Sequence, residues 1–287
     1  SPGMNGSDES KRRQEAIVHG EAYRLAQEDV AFLASDELRG VRLQLELLKP
    51  EIALHGHAIR STVVVLGSSR TCSPEQAQAD VVRLAAHAQA HPDEPELARE
   101  LAAARRRLAG ARYYEEARRF AEIVSCRFQC EGRRDFVVVT GGGPGIMEAA
   151  NRGACEAGAR SIGLNITLPH EQRPNSWITP ELAFRFHYFA VRKMHFMLRA
   201  KALVAFPGGF GTLDELFEVL TLVQTGKMPR LPIVLVGGAF WRRACDLEFL
   251  VEQGMLDPHD TELLSVVENA EQAVAAIHAF YGGEPPA

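Results

Sequence analysis

The chain is poor in cysteine and lysine, carries no excess of positive charge and contains no long apolar run. Nowhere in its 287 residues does an apolar stretch approach the roughly 20 residues of a membrane-spanning helix, and no apolar signal core follows the N-terminus. Ser1-Pro-Gly before Met4 reads as a tag remnant, and the chain is expected to be cytoplasmic. The five cysteines are odd in number and lack a C-x-x-C pattern, which argues against a disulfide framework or a zinc ribbon. Cys126 and Cys130, four apart on an expected helix, read as buried thiols. No His/Cys/Asp cluster has ligand spacing, so no metal is expected, and His55 and His57 read as surface residues. Lys plus Arg total 32 against 37 Asp plus Glu, and a net charge of −5 gives no general attraction for a nucleic-acid polymer or an anionic membrane. A phosphate ligand would have to be held locally. Only five basic residues are lysine, an imbalance consistent with nucleotide-composition bias.

What is present is a globular composition. With 46% apolar and 24% charged residues the chain can bury a core, and its length suits one large domain or two small ones. Residues 11–49 read as helix throughout, with apolar positions from Ile17 to Leu48 at three-to-four spacing and Pro50 as the stop. Residues 1–60 therefore form a tag remnant and an N-terminal helical extension. From residue 61 to 287, short β-branched runs alternate with helical segments: Thr62–Leu66, Phe136–Thr140, Ser161–Asn165, Lys201–Phe206 and Leu231–Val236. Near-continuous apolar runs suit strands covered on both faces, so the expected fold is α/β, a doubly wound Rossmann-like parallel sheet with helices on both faces. A helical insert spans about 74–131, and its Arg105-Arg-Arg107 reads as a solvated helix face.

In such a sheet ligands collect beyond the carboxyl ends of the strands. Three of those junctions are unusual. The first is Gly67-Ser68-Ser69-Arg70, followed by Ser73-Pro74-Glu75-Gln76, a helix start with a capping box. The second is Gly141-Gly142-Gly143-Pro144-Gly145, expected to open a helix at Pro144, and the third is Pro207-Gly208-Gly209-Phe210-Gly211-Thr212. Glycine turns leading into helices bring backbone N–H groups and a positive dipole end to an anion, although one such turn alone is equally explained by tight packing. Three at one sheet edge point to a nucleotide or sugar phosphate. NAD is disfavoured because the dinucleotide spacing is incomplete and the third strand ends in Asn165 rather than an acid; ATP is disfavoured because no Gly-Lys-Ser/Thr follows the turn.

Arg192 and Lys193 stand near the start of the helix at Phe189–Met197, where cations oppose the dipole. They read either as an exposed pair or as partners of a phosphate or carboxylate. Glu215 has two readings as well. In Thr212-Leu-Asp-Glu215 it could close a capping box with Thr212, or its carboxylate could face a ribose.

Pro207-Gly-Gly-Phe-Gly-Thr-Leu-Asp-Glu215 resembles the P-G-G-x-G-T-x-x-E signature of the LONELY GUY (LOG) family, Arg192-Lys193 its preceding Arg-Lys pair, and Gly141–Met147 its second glycine loop. The resemblance covers about residues 61–281. It implies hydrolysis of a nucleoside 5′-monophosphate, including cytokinin riboside monophosphates, to free base and ribose 5-phosphate. By motif position it implies Arg192 and Glu215 as the catalytic pair and Gly208, Gly209, Gly211 and Thr212 on the phosphate side. Lys193 and Thr221 are further nucleotide-site candidates, and Gly67, Ser68, Gly142, Gly143 and Phe210 complete the substrate-binding set. No cofactor is implied. The family is often labelled lysine decarboxylase, which would require pyridoxal phosphate and a Schiff-base lysine, and no lysine stands in a supporting motif. Val191 occupies the place where a Glu often precedes the pair, and the helical extension and insert resemble longer bacterial members, so the base is left open. The resemblance also implies a homodimer or larger assembly. A different reading is a non-catalytic nucleotide sensor that gates a partner.

Overall fold

The computed structural model describes residues 6–130, 132–170 and 173–283. The expected tag remnant at residues 1–3 lies outside them. The chain divides into two compact units, Ser1–Lys49 and Pro50–Ala287.

In the first unit the expected continuous helix is broken. Helix α1 (Gly6–Val18) ends before Gly20, single turns follow at Glu21–Tyr23 and Ala26–Glu28, and α2 (Val30–Leu33) starts where the Asp29 carboxylate accepts the Phe32 N–H at 3.0 Å. A further turn at Asp36–Leu38 leads into α3 (Arg39–Gly56). None of α1, α2 or these turns has a buried residue, so three-to-four spacing alone had no packed face to hold it as one helix. Pro50 does not close the segment as expected. It lies buried inside α3, where a proline removes one hydrogen bond without ending the helix.

The second unit is built on seven parallel strands: β1 (Thr62–Leu66), β2 (Val137–Thr140), β3 (Ser161–Ile166), β4 (Ala183–Phe186), β5 (Ala200–Ala205), β6 (Ile233–Val236) and β7 (Leu264–Val267). Their order is β4-β3-β2-β1-β5-β6-β7. Three helices, α4 (Pro74–Ala90), α5 (Pro95–Gly110) and α6 (Arg112–Phe128), join β1 to β2; α7 (Ile146–Glu156) follows β2 and α8 (Phe189–Met197) follows β4. After β5 comes α9 (Phe210–Gln224), after β6 come α10 (Gly238–Ala244) and α11 (Leu247–Glu252), and α12 (Ala270–Phe280) closes the unit. Phe120 of α6, Ile146 of α7 and Ile277 of α12 share one core with Val63, Val65, Val138, Val204 and Val234 of the sheet. The chain runs outward from β1 to β4 and then returns to β5 beside β1. Right-handed crossovers on the two sides of that reversal put their helices on opposite faces, and α9 contacts β1 while α8 contacts β3. The doubly wound expectation holds.

Several details differ from expectation. The edge strands β4 and β7 were not anticipated, because each buries only alternate positions or fewer. Cys126 and Cys130 are exposed rather than buried. Helix α7 starts at Ile146, two residues after Pro144. Ser73 does accept the Gln76 N–H, with Pro74 at the first helical position, and Arg105–Arg107 are exposed.

One buried polar network fixes the turn after β2. Asn151, fully buried in α7, donates to Ser161 Oγ at 3.0 Å and accepts from Thr140 Oγ1 at 2.7 Å and Asn175 Nδ2 at 3.0 Å. Asn175 also donates to the carbonyls of Gly142 and Gly143, and Asn165 to that of Gly142. Asn151→Ala would orphan several of these groups and should cost about 2–4 kcal/mol, measured as a lowered urea midpoint. A change below about 1 kcal/mol would mean that the network does not support the turn.

Candidate active site

The reversal of strand order lies between β1 and β5, and beyond their carboxyl ends opens a cavity of about 570 Å³. The turn after β1 contributes Gly67, Ser68, Ser69 and Arg70, the turn after β2 contributes Gly141, and α9 with its preceding turn contributes Gly209 to Leu213 and Glu215. Met147, Arg192 and Phe196 complete the wall. The three turns are physically joined: Ser68 N–H donates to the Pro207 carbonyl, and the Ser68 carbonyl accepts from Ile146 N–H, both at 3.0 Å. Gly145 permits the second contact, since it sits at φ 74° and a Cβ there would lie 2.2 Å from the Ser68 carbonyl oxygen.

Arg192 reaches the cavity from the first turn of α8. Its Nε donates to the Leu164 carbonyl of β3 at 2.7 Å, and its guanidinium lies over the Phe196 ring. A Cβ on Gly141 would stand 2.6 Å from Nη2, so only glycine leaves that passage open. Burial lowers the guanidinium's pKa, and the nearby Glu215 charge raises it in part.

Glu215 does not close a capping box. Helix α9 begins at Phe210 with Gly209 as its N-cap, so Thr212 is already inside the helix and no side chain caps the start. Glu215 is 6% exposed, and its Oε2 is buried without a hydrogen-bond partner among the described residues. Burial pushes its pKa up to about 7; Lys193 and Arg192 pull down against that while Glu218 and Asp214 add to it.

Lys193 points elsewhere than Arg192. Its Nζ lies 2.7 Å from Asp214 Oδ2 and 3.0 Å from Glu218 Oε2, and it lines a shallow concavity on α9 with Thr221, which Phe210 and Leu213 share with the main cavity. Burial works to lower its pKa, but these bonds outweigh it and raise the value. Thr221 donates to the Phe217 carbonyl at 2.7 Å. Gly142, Gly143 and Gly208 lie behind the wall: the first two are held by Asn175, and a Cβ on Gly208 would meet Thr212 Oγ1. The cavity thus gathers Gly67, Ser68, Arg192, Gly209, Phe210, Gly211, Thr212 and Glu215 of the expected set. Arg70, Met147 and Phe196 were missed as site residues. Arg70 stood in the first turn and could have been found by asking which cations follow the central strand.

The chain is similar to several known proteins. The family model described as possible lysine decarboxylase matches residues 147–277. Cytokinin riboside 5′-monophosphate phosphoribohydrolase LOG7 of Arabidopsis thaliana is 29% identical over 153 residues, 52% of this chain and 68% of its own. A cytokinin riboside 5′-monophosphate phosphoribohydrolase of Mycobacterium tuberculosis is 39% identical over 80 residues, 27% of this chain and 42% of its own. The X-ray structure of TM1055, a structural-genomics target, is 18% identical with a TM-score of 0.47, covering 76% of this chain and 99% of that one. The decarboxylase description does not fit the residues. Pyridoxal chemistry needs a lysine for its Schiff base; none lines the cavity among the described residues, and Lys193 is held by two carboxylates.

Gly209 and Gly211 differ from the other glycines of the wall. A Cβ on either would meet nothing within 4 Å, and neither has a positive φ, so the folded chain does not itself require glycine there. Both line the cavity, so the open space beside them adjoins it. Gly211→Ala should raise stability by up to about 1 kcal/mol, since alanine is the better helix former, and, if the cavity takes a nucleotide, weaken AMP binding by at least tenfold. Unchanged affinity by titration calorimetry would remove close ligand approach as the reason for this glycine.

Proposed function

The chain belongs to the LONELY GUY (LOG) family, and from that premise we propose that it hydrolyses the N-glycosidic bond of a nucleoside 5′-monophosphate, an AMP-like nucleotide or a cytokinin riboside monophosphate, to free base and ribose 5-phosphate. The observation that carries this reading is the buried Glu215 carboxyl on the cavity wall, with one oxygen unpartnered among the described residues. Breaking the bond develops positive charge on the ribose, which a desolvated carboxylate stabilises while it positions the attacking water. Arg192, held by the Leu164 carbonyl, supplies the cation that offsets negative charge on the departing base. The open space at Gly209 and Gly211 receives the phosphate at the start of α9, and binding energy from that unreactive group holds the sugar in place. Neither step calls for a metal or an organic cofactor.

The direct test is release of ribose 5-phosphate from a panel of AMP, GMP, CMP and a cytokinin riboside monophosphate, with adenosine as control. Turnover of a nucleotide with little action on adenosine is expected. Equal turnover of both removes the phosphate from the argument, and AMP binding without release leaves the nucleotide-sensor reading in its place.

The charge on Glu215 gives a sharper prediction. Because its folded pKa of about 7 exceeds the 4.5 of a free carboxyl, the folded chain keeps a proton that the unfolded chain has released. Stability from this group is therefore present below about pH 4.5 and lost as pH rises to about 7, by at most about 3 kcal/mol. Glu215→Gln should raise the melting temperature at pH 8 while lowering kcat on the order of 100-fold. For the wild type, kcat/KM should rise with pH through about 7 as the carboxylate forms. A Gln variant with near wild-type turnover defeats the catalytic assignment.

We also propose that the chain forms a homodimer or a larger assembly in the cytoplasm. Phe189, Met194 and Leu198 at α8 are about half exposed, as are Leu45 and Leu48 of α3 in the first unit, and such apolar surface favours self-association. Light scattering at micromolar concentration should give at least twice the monomer mass.

A further inference from the structure

We propose that Arg70 is the clamp for the ligand's phosphate dianion, an inference that rests on reading the cavity as a nucleotide site. Among the described residues only two cations line the cavity, Arg70 and Arg192. Arg192 is fixed: one edge of its guanidinium is taken by the Leu164 carbonyl and the rest is confined between Gly141 and the Phe196 ring. Lys193, the neighbouring cation, is neutralised by Asp214 and Glu218 and faces the other concavity. Arg70 differs from both. It is exposed, lines the cavity and makes no ion pair among the described residues, whereas arginines elsewhere in this unit, such as Arg83, Arg118 and Arg152, each lie against a carboxylate.

Its position explains what it would hold. The Gly67–Arg70 turn follows the central strand β1, wedged between the turn before α9 and the start of α7 through the two backbone bonds of Ser68. Arg70 N–H donates to Ser68 Oγ at 3.0 Å, a local bond that closes the turn. Arg70 thus lines the same cavity as Gly209 and Gly211, which leave unfilled space there. A planar fork of donors matches phosphate oxygens in a bidentate way, which a backbone turn alone cannot do, and it adds full charge to the partial charge of a helix end. Two guanidiniums, Arg70 and Arg192, against the one carboxyl of Glu215 leave the lining net positive, as a dianion requires.

Binding to the full-length protein separates this role from turnover. Titration calorimetry with AMP, inorganic phosphate and adenosine would compare the wild type with Arg70→Ala and Arg70→Lys. The Ala variant should bind AMP and phosphate at least tenfold more weakly, with adenosine affinity and melting temperature unchanged. The Lys variant, which keeps the charge but loses the fork, should fall between. Wild-type AMP affinity in Arg70→Ala, an equal loss for adenosine, or a wild type that binds neither AMP nor phosphate would each overturn the clamp. A wild type that binds AMP through Arg70 without releasing ribose 5-phosphate would sink the hydrolase reading and leave the clamp standing.

Discussion

The site depends first on the two backbone hydrogen bonds of Ser68. One reaches the carbonyl of Pro207 and the other receives the N–H of Ile146, so the turns after β1, β2 and β5 are tied to one another. A parallel sheet brings successive turns to one edge, but it does not by itself bring them into register. Here β1 is central, its turn is the shortest path between the other two, and the absence of a side chain at Gly145 lets the backbones meet. Asn151 and Asn175 then hold the second turn from behind, which draws its carbonyls away from the cavity. The turns of the wall are joined through backbone, and among the described residues side chains supply charge only at Arg70, Arg192 and Glu215.

Charge is distributed by a division of labour between adjacent residues. Arg192 and Lys193 are neighbours on α8, one helical step of about 100° apart, so they cannot face the same way. Arg192 enters the cavity through the gap at Gly141, and Lys193 crosses to Asp214 and Glu218 on α9. That crossing pins α8 against α9 next to Glu215 and places a cation near its carboxyl without hydrogen-bonding it. Glu215 is left with two opposing influences: burial and two acidic neighbours favour the proton, and two cations favour the charge. Burial prevails and lifts its titration to about 7, a range in which a carboxyl can change state during a reaction.

Much of this was legible in the chain, for identifiable reasons. The central strands are buried on both faces and read as continuous apolar runs, whereas β4 and β7 sit at the edges, alternate, and gave no such run. The three glycine turns announced the functional edge because strand-turn-helix junctions are local features. Which glycines face a ligand was not local. Gly208 and Gly211 look alike in sequence, yet one is filled by the Thr212 side chain and the other opens on empty space. The helix register of Glu215, left open between two readings, was undecidable from the chain for the same reason. Thr212 and Glu215 have capping-box spacing, but Gly209 lets the chain turn three residues earlier, and Glu215 is carried into the wall as a result.

That displacement of the helix start has a thermodynamic meaning. At the third helical position a glutamate is solvated and stabilises the helix end; at the sixth it is buried, loses water and gains no hydrogen bond to replace it on one oxygen. A glutamine or an apolar residue of similar size would suit the folded chain better above neutral pH, so stability gives no reason for a carboxyl there. Local rules broken without a compensating contact within the chain mark positions whose partner lies outside it. Gly211 breaks the rule for helices and Glu215 the rule for buried charge, and they stand four residues apart on the cavity face of α9. Helical spacing puts the two on one side of the helix, so a single ligand can supply what each of them lacks.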